Sequence, residues 1–313
     1  MRRKIAASGL TIMLMAGAAF AASPTRPPIT SVSHLSVYTS DPVKAERFYV
    51  NDLGAVKMAD PENPQGVRYY FSPTQFVQLL PLPADAGVNR LDHVAFNTAD
   101  AEGLRRYLAS KKVAVPRRVT KGSDGSQWFQ VKDPEGSTVE FVQPSANLPV
   151  IPANKVSSRI IHVGYVIHDR KLQDTFFRDI LGFKPYWYGG NREDAPSWVS
   201  QQVPDGSDWM EYMIYGAAGA PRLPPNMTQA TAGVMNHFAL GVENIRDAYN
   251  ILWNEDRMQG QLERGQPAVP KIGRDAKWQL NLLDPDGTRA ELMEFKAIGK
   301  PCCSPFTASD PGP

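Results

Sequence analysis

Four of the five histidines in the chain stand at the start of similar segments. Each opens an apolar, strand-like run and is followed seven residues later by aspartate or asparagine; these histidines are His34, His93, His162 and His237. Neutral imidazole is the commonest side-chain ligand for metals. A single histidine on an apolar strand is more often a core residue, and duplication of an ancestral unit could preserve this pattern without a metal. Four histidines at one register nevertheless favour metal binding.

Two carboxylates recur in the same way. The motif "DPEGSTVE" runs from Asp133 to Glu140 and "DPDGTRAE" from Asp284 to Glu291, so each glutamate follows the aspartate of a turn by seven residues. A carboxylate buried in a sheet is costly unless it is paired or binds a metal. Strand alternation leaves a second interpretation open, in which either glutamate faces solvent.

A further carboxylate enlarges one of the two donor sets. Glu211, in "DWMEYMIYG", occupies the last strand of the third segment, where the first segment has Gln78. Two imidazoles with one or two carboxylates suit Fe(II), Mn(II), Ni(II) or Zn(II) and leave positions open for substrate. The predicted primary metal site consists of His162, His237, Glu211 and Glu291. The secondary candidate site consists of His34, His93 and Glu140, with Gln78 in the fourth place.

The segments that carry these residues share one plan. An apolar strand comes first, and the following Asp or Asn can accept hydrogen bonds from the first free N–H groups of a helix. Gly54 and Gly182 are expected to end two of the helices in the left-handed conformation. Three further strands follow each helix, and Asp-Pro-x-Gly joins the last two in the second and fourth segments as a tight turn. The sequence therefore predicts an α+β fold of four βαβββ modules.

The modules divide into two pairs. The stretch 146–158 is polar and contains proline, so we interpret it as a linker between a first domain at 30–145 and a second domain at 159–297. Inside the second domain, residues 216–233 form a loop that is either a lid or a plain connection.

The chain ends in a proline-rich segment at 298–313, which is predicted to be a disordered tail. Its adjacent cysteines, Cys302 and Cys303, are expected not to pair with each other. An intermolecular disulfide stays open for an oxidising compartment.

Composition and the amino terminus limit the partners. The 34 basic and 32 acidic residues leave a formal charge of +2, which provides no field for nucleic acid or an anionic membrane. We therefore expect a small-molecule substrate. Residues 1–22 combine a basic start, an apolar run and the small-x-small site "AFA", which predicts a cleaved signal peptide. The predicted location is periplasmic or secreted, without membrane attachment after cleavage, and the oligomeric state is left open.

At these residues the chain resembles the vicinal oxygen chelate superfamily, which includes glyoxalase I, extradiol ring-cleavage dioxygenases, methylmalonyl-CoA epimerase and bleomycin-resistance proteins. The shared features are a histidine on the first strand of a module and "DPxGxxxE" ending in the last strand. They extend over residues 30 to 297. The resemblance implies two glyoxalase/dioxygenase-type domains, each closing two modules into a cup around a metal ion.

The resemblance also bears on the reaction. In extradiol dioxygenases the iron would map onto His162, His237 and Glu291. Those enzymes use a further histidine in the strands of the third module, and none lies between His168 and His237 here. The set that includes Glu211 is similar to that of glyoxalase I, which implies that Glu211 and Glu291 bind metal and that one acts as the catalytic base. Export argues against glutathione or CoA adducts as substrates.

Two functions remain open from the sequence. The first is an exported metal-dependent lyase, isomerase or dioxygenase that acts on a small oxygen-chelating substrate. The second is a metal-free protein that binds or sequesters a small molecule, like the bleomycin-resistance members. The second half of the chain carries the larger donor set and is the better candidate for an active site.

Overall fold

The structure is a computed structural model that describes residues 24–215, 235–263 and 265–313. The predicted signal peptide at 1–22 and the predicted lid or connection at 216–233 lie outside these residues. Within the described ranges, no helix is long and apolar enough to cross a membrane.

The first domain is built on one eight-stranded sheet with the strand order β2-β3-β4-β1-β5-β8-β7-β6. Its strands are β1 (Ile29–Thr39), β2 (Val56–Ala59), β3 (Val67–Ser72), β4 (Gln75–Pro81), β5 (Leu91–Thr98), β6 (Thr120–Lys121), β7 (Gln127–Lys132) and β8 (Thr138–Gln143). Its helices are α1 (Pro42–Glu46), which continues as a π-helical turn (Arg47–Asp52), and α2 (Ala101–Ser110).

The second domain repeats this order as β10-β11-β12-β9-β13-β18-β17-β16. Its strands are β9 (Ile160–Ile167), β10 (Lys184–Gly189), β11 (Trp198–Gln202), β12 (Trp209–Ile214), β13 (His237–Val242), β14 (Leu262–Glu263), β15 (Gln266–Pro267), β16 (Lys271–Ile272), β17 (Trp278–Leu283) and β18 (Arg289–Glu294). Its helices are α3 (Arg170–Asp174), which continues as a π-helical turn (Thr175–Ile180), and α4 (Ile245–Asn254). The predicted fold of four βαβββ modules in two domains is confirmed.

The first strands of the two modules lie side by side at the centre of each sheet. β1 and β5 are antiparallel, with Ser36 opposite His93, and β9 and β13 are antiparallel, with Gly164 opposite His237. The last strand of each module runs parallel to its first strand, as β4 does beside β1 and β8 beside β5. Each sheet thereby curls into a half-barrel whose first-strand histidines meet.

Side chains cap the four helices α1 to α4 as the sequence predicts. The residues that accept hydrogen bonds from backbone N–H groups of the first turn are Asp41, Asp100, Asp169 and Asn244. The two π-helical turns end before Gly54 and Gly182, whose φ angles of 77° and 82° are rarely adopted by residues with a side chain. The helix ends are therefore also as predicted.

The aspartate of the Asp-Pro-x-Gly turn in the first domain makes hydrogen bonds both within the turn and to the second domain. One carboxylate oxygen of Asp133 accepts hydrogen bonds from the backbone N–H groups of Glu135 and Ser137, which fixes the turn before β8. The other oxygen crosses to the second domain, where the Tyr165 hydroxyl donates to it at 2.8 Å and the Gln173 amide at 3.0 Å. The turn therefore both sets strand register and docks the domains.

Asp284 repeats this arrangement from the second domain. One of its oxygens accepts from the backbone N–H groups of Asp286 and Thr288, and the other accepts from the Tyr49 hydroxyl of the first domain at 3.0 Å. Aromatic packing extends the contact, since the ring of Tyr49 lies 6.2 Å from that of Phe238. The two domains thus share one buried interface with related contacts on both sides.

One predicted strand takes a different form. The sequence predicts "QLERGQPAV" as the first of the three strands that follow the helix of the fourth module. In the structure this segment forms the small hairpin β14–β15, apart from the main sheet, and the sheet strand is β16. Gly265 has a φ of 78°, which suits a turn, and Pro267 has no N–H to donate to a central ladder.

The predicted disordered tail follows a defined path along β10. The backbone N–H groups of Cys303 and Thr307 donate to the carbonyls of Tyr188 and Tyr186. Cys302 and Cys303 are joined in a disulfide bond, contrary to the expectation that they do not pair with each other. The structure differs from the prediction because composition does not show which backbone groups and aromatic rings the folded second domain offers to this segment.

We predict that Tyr49→Phe lowers the free energy of unfolding by about 2 kcal/mol and Tyr165→Phe by about 1 kcal/mol. Tyr49→Phe removes the hydrogen bond that Asp284 accepts across the interface. After Tyr165→Phe, Asp133 still accepts a hydrogen bond from the Gln173 amide. Urea unfolding followed by circular dichroism measures both free energies.

Tyr188→Phe is the control for these two substitutions. The Tyr188 side chain is 37 % exposed, so its change should leave the unfolding curve in place. If all three variants unfold at the same urea concentration, the hydrogen bonds between the domains do not stabilise the protein.

Candidate metal centres

The second domain brings together the four residues of the predicted primary site. The Nε2 atoms of His162 and His237 lie 3.0 Å apart. Glu291 Oε2 is 3.6 Å from His162 Nε2 and 4.0 Å from His237 Nε2. Glu211 Oε2 is 3.4 Å from His237 Nε2. We call this group the second centre; that it converges is observed, and that it binds metal remains a prediction.

Strand register explains why these side chains converge. Glu211 in β12 is paired with Gly164 of β9, and Glu291 in β18 is paired with Ala239 of β13. Gly164 also faces His237, and a Cβ atom on Gly164 would lie 2.0 Å from the imidazole ring. Only glycine therefore leaves room for the ring in this position.

The electrostatic environment distinguishes the two carboxylates. Burial raises the pKa of Glu211. Burial would also raise the pKa of Glu291, but Arg289, His162 and His237 bring it down to about 2. Burial, followed by Arg289, lowers the pKa of His237 to about 3, and burial lowers the pKa of His162. Both imidazoles are therefore neutral at pH 7, the form that binds metal ions.

A cavity of about 600 Å³ opens onto the second centre, and Glu211 and Glu291 form part of its wall. The rest of the wall combines apolar and aromatic side chains with charged ones, and it includes Trp187, Trp198, Met213, Met293, Glu263, Lys271, Arg274, Asp275 and Arg289. This size and lining suit a small organic ligand.

The first domain brings together the three residues of the secondary candidate site, which we call the first centre. The Nε2 atoms of His34 and His93 lie 2.9 Å apart, and each is 3.7 Å from an oxygen of Glu140. Oε2 of the fully buried Glu140 accepts a hydrogen bond from the Gln130 amide at 2.8 Å. Its Oε1 has no hydrogen-bond partner among the described residues, which is costly for a buried carboxylate unless a cation lies beside it.

Gln78 does not join the first centre, although its register matches that of Glu211. It faces Ser36 just as Glu211 faces Gly164. The Gln78 amide nitrogen donates to Asp60 at 2.6 Å, and its oxygen accepts from the Ser36 hydroxyl at 2.5 Å. The strand position that provides a carboxylate in the second domain is thus used for a hydrogen bond in the first.

Glu62, from the loop between β2 and β3, reaches the first centre instead. The centre then has four residues, which are His34, Glu62, His93 and Glu140. Each offers one donor atom, and these four atoms all lie within 4.8 Å of one another. Burial, and then repulsion by Glu140, raise the pKa of Glu62 to about 8. The sequence analysis missed Glu62 because it lies in the loop "DPENPQG". The available signal was Gln78: because it is an amide, the first-domain set had one carboxylate fewer than the second-domain set.

Neighbouring groups orient the imidazoles of the first centre. Asp92 Oδ2 lies 2.6 Å from Nδ1 of His93, and Ser33 Oγ lies 3.0 Å from Nδ1 of His34. Burial would lower the pKa of His93, but Glu140 and Asp92 raise it. Burial and the neighbouring His93 lower the pKa of His34. Partners on Nδ1 turn both Nε2 atoms towards the centre, as in carboxylate–histidine–metal arrangements.

The fifth histidine lies outside both centres. Nδ1 of His168 is 3.1 Å from Glu135 of the first domain, so this side chain belongs to the domain interface. No histidine is among the described residues that line the cavity of the second centre.

Comparison with known families agrees with this architecture. Residues 31–141 match the family model described as Glyoxalase/Bleomycin resistance protein/Dioxygenase superfamily. The resemblance seen in the sequence is confirmed for these residues, and solved structures show the same fold over both domains. No curated protein sequence matches the chain.

Three solved structures illustrate the likeness of the superfamily fold. Homoprotocatechuate 2,3-dioxygenase from Arthrobacter globiformis is 17 % identical, with a TM-score of 0.64 over 87 % of this chain and 81 % of that chain. The enzyme from Brevibacterium fuscum in complex with 3,4-dihydroxyphenylacetate is 18 % identical, with a TM-score of 0.60 over 87 % and 82 %. The Mn(II)-bound glyoxalase from Novosphingobium aromaticivorans is 17 % identical, with a TM-score of 0.62 over 86 % and 83 %. At such identities the likeness shows the fold.

We predict that Arg289→Thr tightens Mn²⁺ binding at the second centre by about tenfold or more. Arg289 Nη2 lies 3.7 Å from Glu291, and its positive charge repels a cation held by the same carboxylate. Thr138 occupies the matching position in the first domain, so the new residue has a precedent in the same fold. Isothermal titration calorimetry measures the affinity.

Arg274→Thr is the matched control for this prediction. Arg274 lines the same cavity, but it donates to the carbonyl of Gly190, and its loss should leave the affinity nearly unchanged. A His34→Gln background in all proteins keeps the first centre from contributing. Weaker binding after Arg289→Thr would contradict the expected repulsion.

Proposed function

We propose that the second domain is the catalytic half of a divalent-metal-dependent isomerase or lyase, which moves a proton on a small substrate bound through two neighbouring oxygens. The position of Glu211 carries this proposal. Its carboxylate lies 3.4 Å from Nε2 of His237 and forms part of the wall of the 600 Å³ cavity. A carboxylate that borders both the proposed ion and the substrate space is placed to act as a base.

The contacts of the two glutamates support a division of labour between them. Glu291 touches both imidazoles and Arg289, and its side chain is only 4 % exposed. The Glu211 side chain is 13 % exposed, and Ser200 Oγ lies 3.4 Å from it. Glu291 with the two histidines therefore suits permanent ligation, and Glu211 has more freedom to take up and return a proton.

A divalent ion bound here would polarise the oxygens of the substrate and make a neighbouring C–H group more acidic. Glu211 would remove that proton and hold it for return. Arg289 supplies a fixed positive charge beside the centre, which stabilises negative charge that develops on the substrate. Trp187 and Trp198 provide apolar wall, which keeps the substrate face poor in water.

Ring cleavage with dioxygen is the competing reaction. Two of the similar structures are homoprotocatechuate 2,3-dioxygenases, and a third is an Mn(II)-bound glyoxalase. Extradiol cleavage relies on a further histidine, and the described cavity wall offers none. The donor set with Glu211 therefore favours proton transfer over ring cleavage.

We predict that Glu211→Gln slows proton exchange by about 10²- to 10⁴-fold while the protein keeps its metal, because His162, His237 and Glu291 remain. His162→Ala should lose both the exchange activity and one metal equivalent per chain. The probe is hydroxyacetone in D₂O, whose neighbouring oxygens can chelate and whose C–H signals disappear from the proton NMR spectrum on exchange. Elemental analysis gives the metal content.

Glu255→Gln is the control, since Glu255 pairs with Lys155 at the surface and lies away from the cavity. Its exchange rate and metal content should equal those of the unmodified protein. Oxygen uptake with catechol and no exchange would support a dioxygenase instead. Ligand binding without a stoichiometric metal would support the sequestering protein.

We also propose that the chain is exported, on the basis of the signal-peptide pattern in residues 1–22. Expression of the full sequence in a Gram-negative host should place a protein that lacks this segment in the periplasm. Intact-mass analysis of periplasmic and cytosolic fractions checks the prediction, and a full-length mass confined to the cytosol would contradict it.

A further inference from the structure

We propose that the first domain binds a second divalent cation in a closed structural site, whose fourth ligand is supplied by Glu62 from the loop between β2 and β3. The other ligands are His34, His93 and Glu140. The function of this ion is to hold the loop against the sheet; it takes no part in the reaction of the second domain.

The spacing of the donor atoms supports a single ion. The Nε2 atoms of His34 and His93 are each 3.7 Å from an oxygen of Glu140. A donor atom of Glu62 lies within 4.8 Å of all three. In a tetrahedral zinc site with bonds of about 2.0–2.2 Å, donor atoms lie roughly 3.5 Å apart. The two separations of 3.7 Å are close to this value, and the 2.9 Å between the two Nε2 atoms is shorter.

The buried carboxylates around the first centre favour a bound cation. The carboxylates of Asp60 and Glu62 are 0 % and 6 % exposed and share the guanidinium of Arg68, which is 3 % exposed. The carboxylate of Glu140 is 0 % exposed and lies beside the two imidazoles. Three carboxylates near one guanidinium are costly to ionise in a poorly solvated place, and a bound cation would stabilise their charged form. Oε1 of Glu140 also lacks a hydrogen-bond donor among the described residues, and it faces the imidazole of His34.

Contacts with Arg68 and within the loop hold the Glu62 side chain at the first centre. Arg68 Nε donates to Asp60 at 3.0 Å and Arg68 Nη2 donates to Glu62, so one guanidinium holds both loop carboxylates. The backbone N–H of Glu62 donates to Asp60 at 2.9 Å. The guanidinium of Arg68 also lies 4.3 Å over the ring of Phe76, which stacks on His34 at 4.3 Å. Glu62 is therefore positioned from two sides before any ion binds.

Gln78 completes the argument for a loop ligand. The Gln78 amide donates a hydrogen bond to Asp60 of the loop at 2.6 Å. The strand residue that matches Glu211 therefore binds the loop and is not itself a ligand. In the second domain the fourth donor, Glu211, comes from a strand, whereas in the first domain the fourth donor, Glu62, comes from the loop. A residue that only paired with Arg68 would not need to lie within 4.8 Å of two imidazoles and a carboxylate.

The enclosure of the first centre favours a structural role. Its histidine and glutamate side chains are at most 6 % exposed, whereas Glu211 of the second centre is 13 % exposed and faces a larger cavity. Structural sites use four protein ligands, and catalytic sites leave a position for water or substrate. The neighbouring cavity measures about 390 Å³, against about 600 Å³ in the second domain.

The test counts zinc per chain by elemental analysis after loading with Zn²⁺ and desalting. The unmodified protein should hold two equivalents, and Glu62→Gln should hold one. His34→Gln is a second variant that should lose the same equivalent. The matched control is Glu46→Gln, at an exposed glutamate of the same domain that pairs with Lys57, and it should hold two. Two equivalents in Glu62→Gln, or a single equivalent in the unmodified protein that persists in both Glu62→Gln and His34→Gln, would overturn the proposal.

A second measurement separates this site from the proposed catalytic one. In a His162→Ala/His237→Ala protein the single remaining zinc should raise the melting temperature by several degrees at saturation. Adding Glu62→Gln should weaken the zinc affinity at least tenfold and remove the shift. A shift that survives Glu62→Gln overturns the role of Glu62. Hydroxyacetone exchange by the Glu62→Gln protein should continue, so failure of the first centre and failure of the proposed reaction are distinguishable.

Discussion

The antiparallel pairing of two first strands at the centre of each half-barrel is the constraint from which both candidate centres follow. It places Ser36 opposite His93 and Gly164 opposite His237, so imidazoles from separate modules meet within about 3 Å. The parallel last strands then carry carboxylates to the same point. Because imidazole and carboxylate groups so close together are buried, each half-barrel needs positive charge at its centre.

The two halves satisfy that need differently. In the second domain Gly164 admits the ring of His237, Glu211 stands on the strand, and Arg289 adds positive charge beside the carboxylates. In the first domain the matching positions carry smaller or neutral polar groups, namely Ser36, Gln78 and Thr138. The additional carboxylate of the first domain is that of Glu62, which lies in the loop and accepts a hydrogen bond from Arg68. The same backbone thus supports one centre that borders a cavity of about 600 Å³ and one that is more deeply buried beside a smaller cavity of about 390 Å³.

Local and long-range causes explain how far the sequence could be interpreted. The modules, their capping residues and the glutamates of the turns depend on neighbours within a few positions, so repetition alone predicted them. Glu62 depends on Arg68 and Phe76, which approach only once β3 and β4 are paired. The tail follows β10 because its backbone pairs there and Phe306 packs on Tyr186. Such contacts leave no periodic pattern in the chain.

The aspartates of the turns connect the two halves more directly than the centres do. Asp133 fixes the start of the strand that carries Glu140, and its other oxygen is held by Tyr165 of β9. His162 lies on the same strand as Tyr165 but on its opposite face, because the two residues are three positions apart. Each half therefore holds the strand register of the other half through backbone and interface contacts. This explains why the first half keeps its turn and its strand pairing even when only the second half performs the proposed reaction.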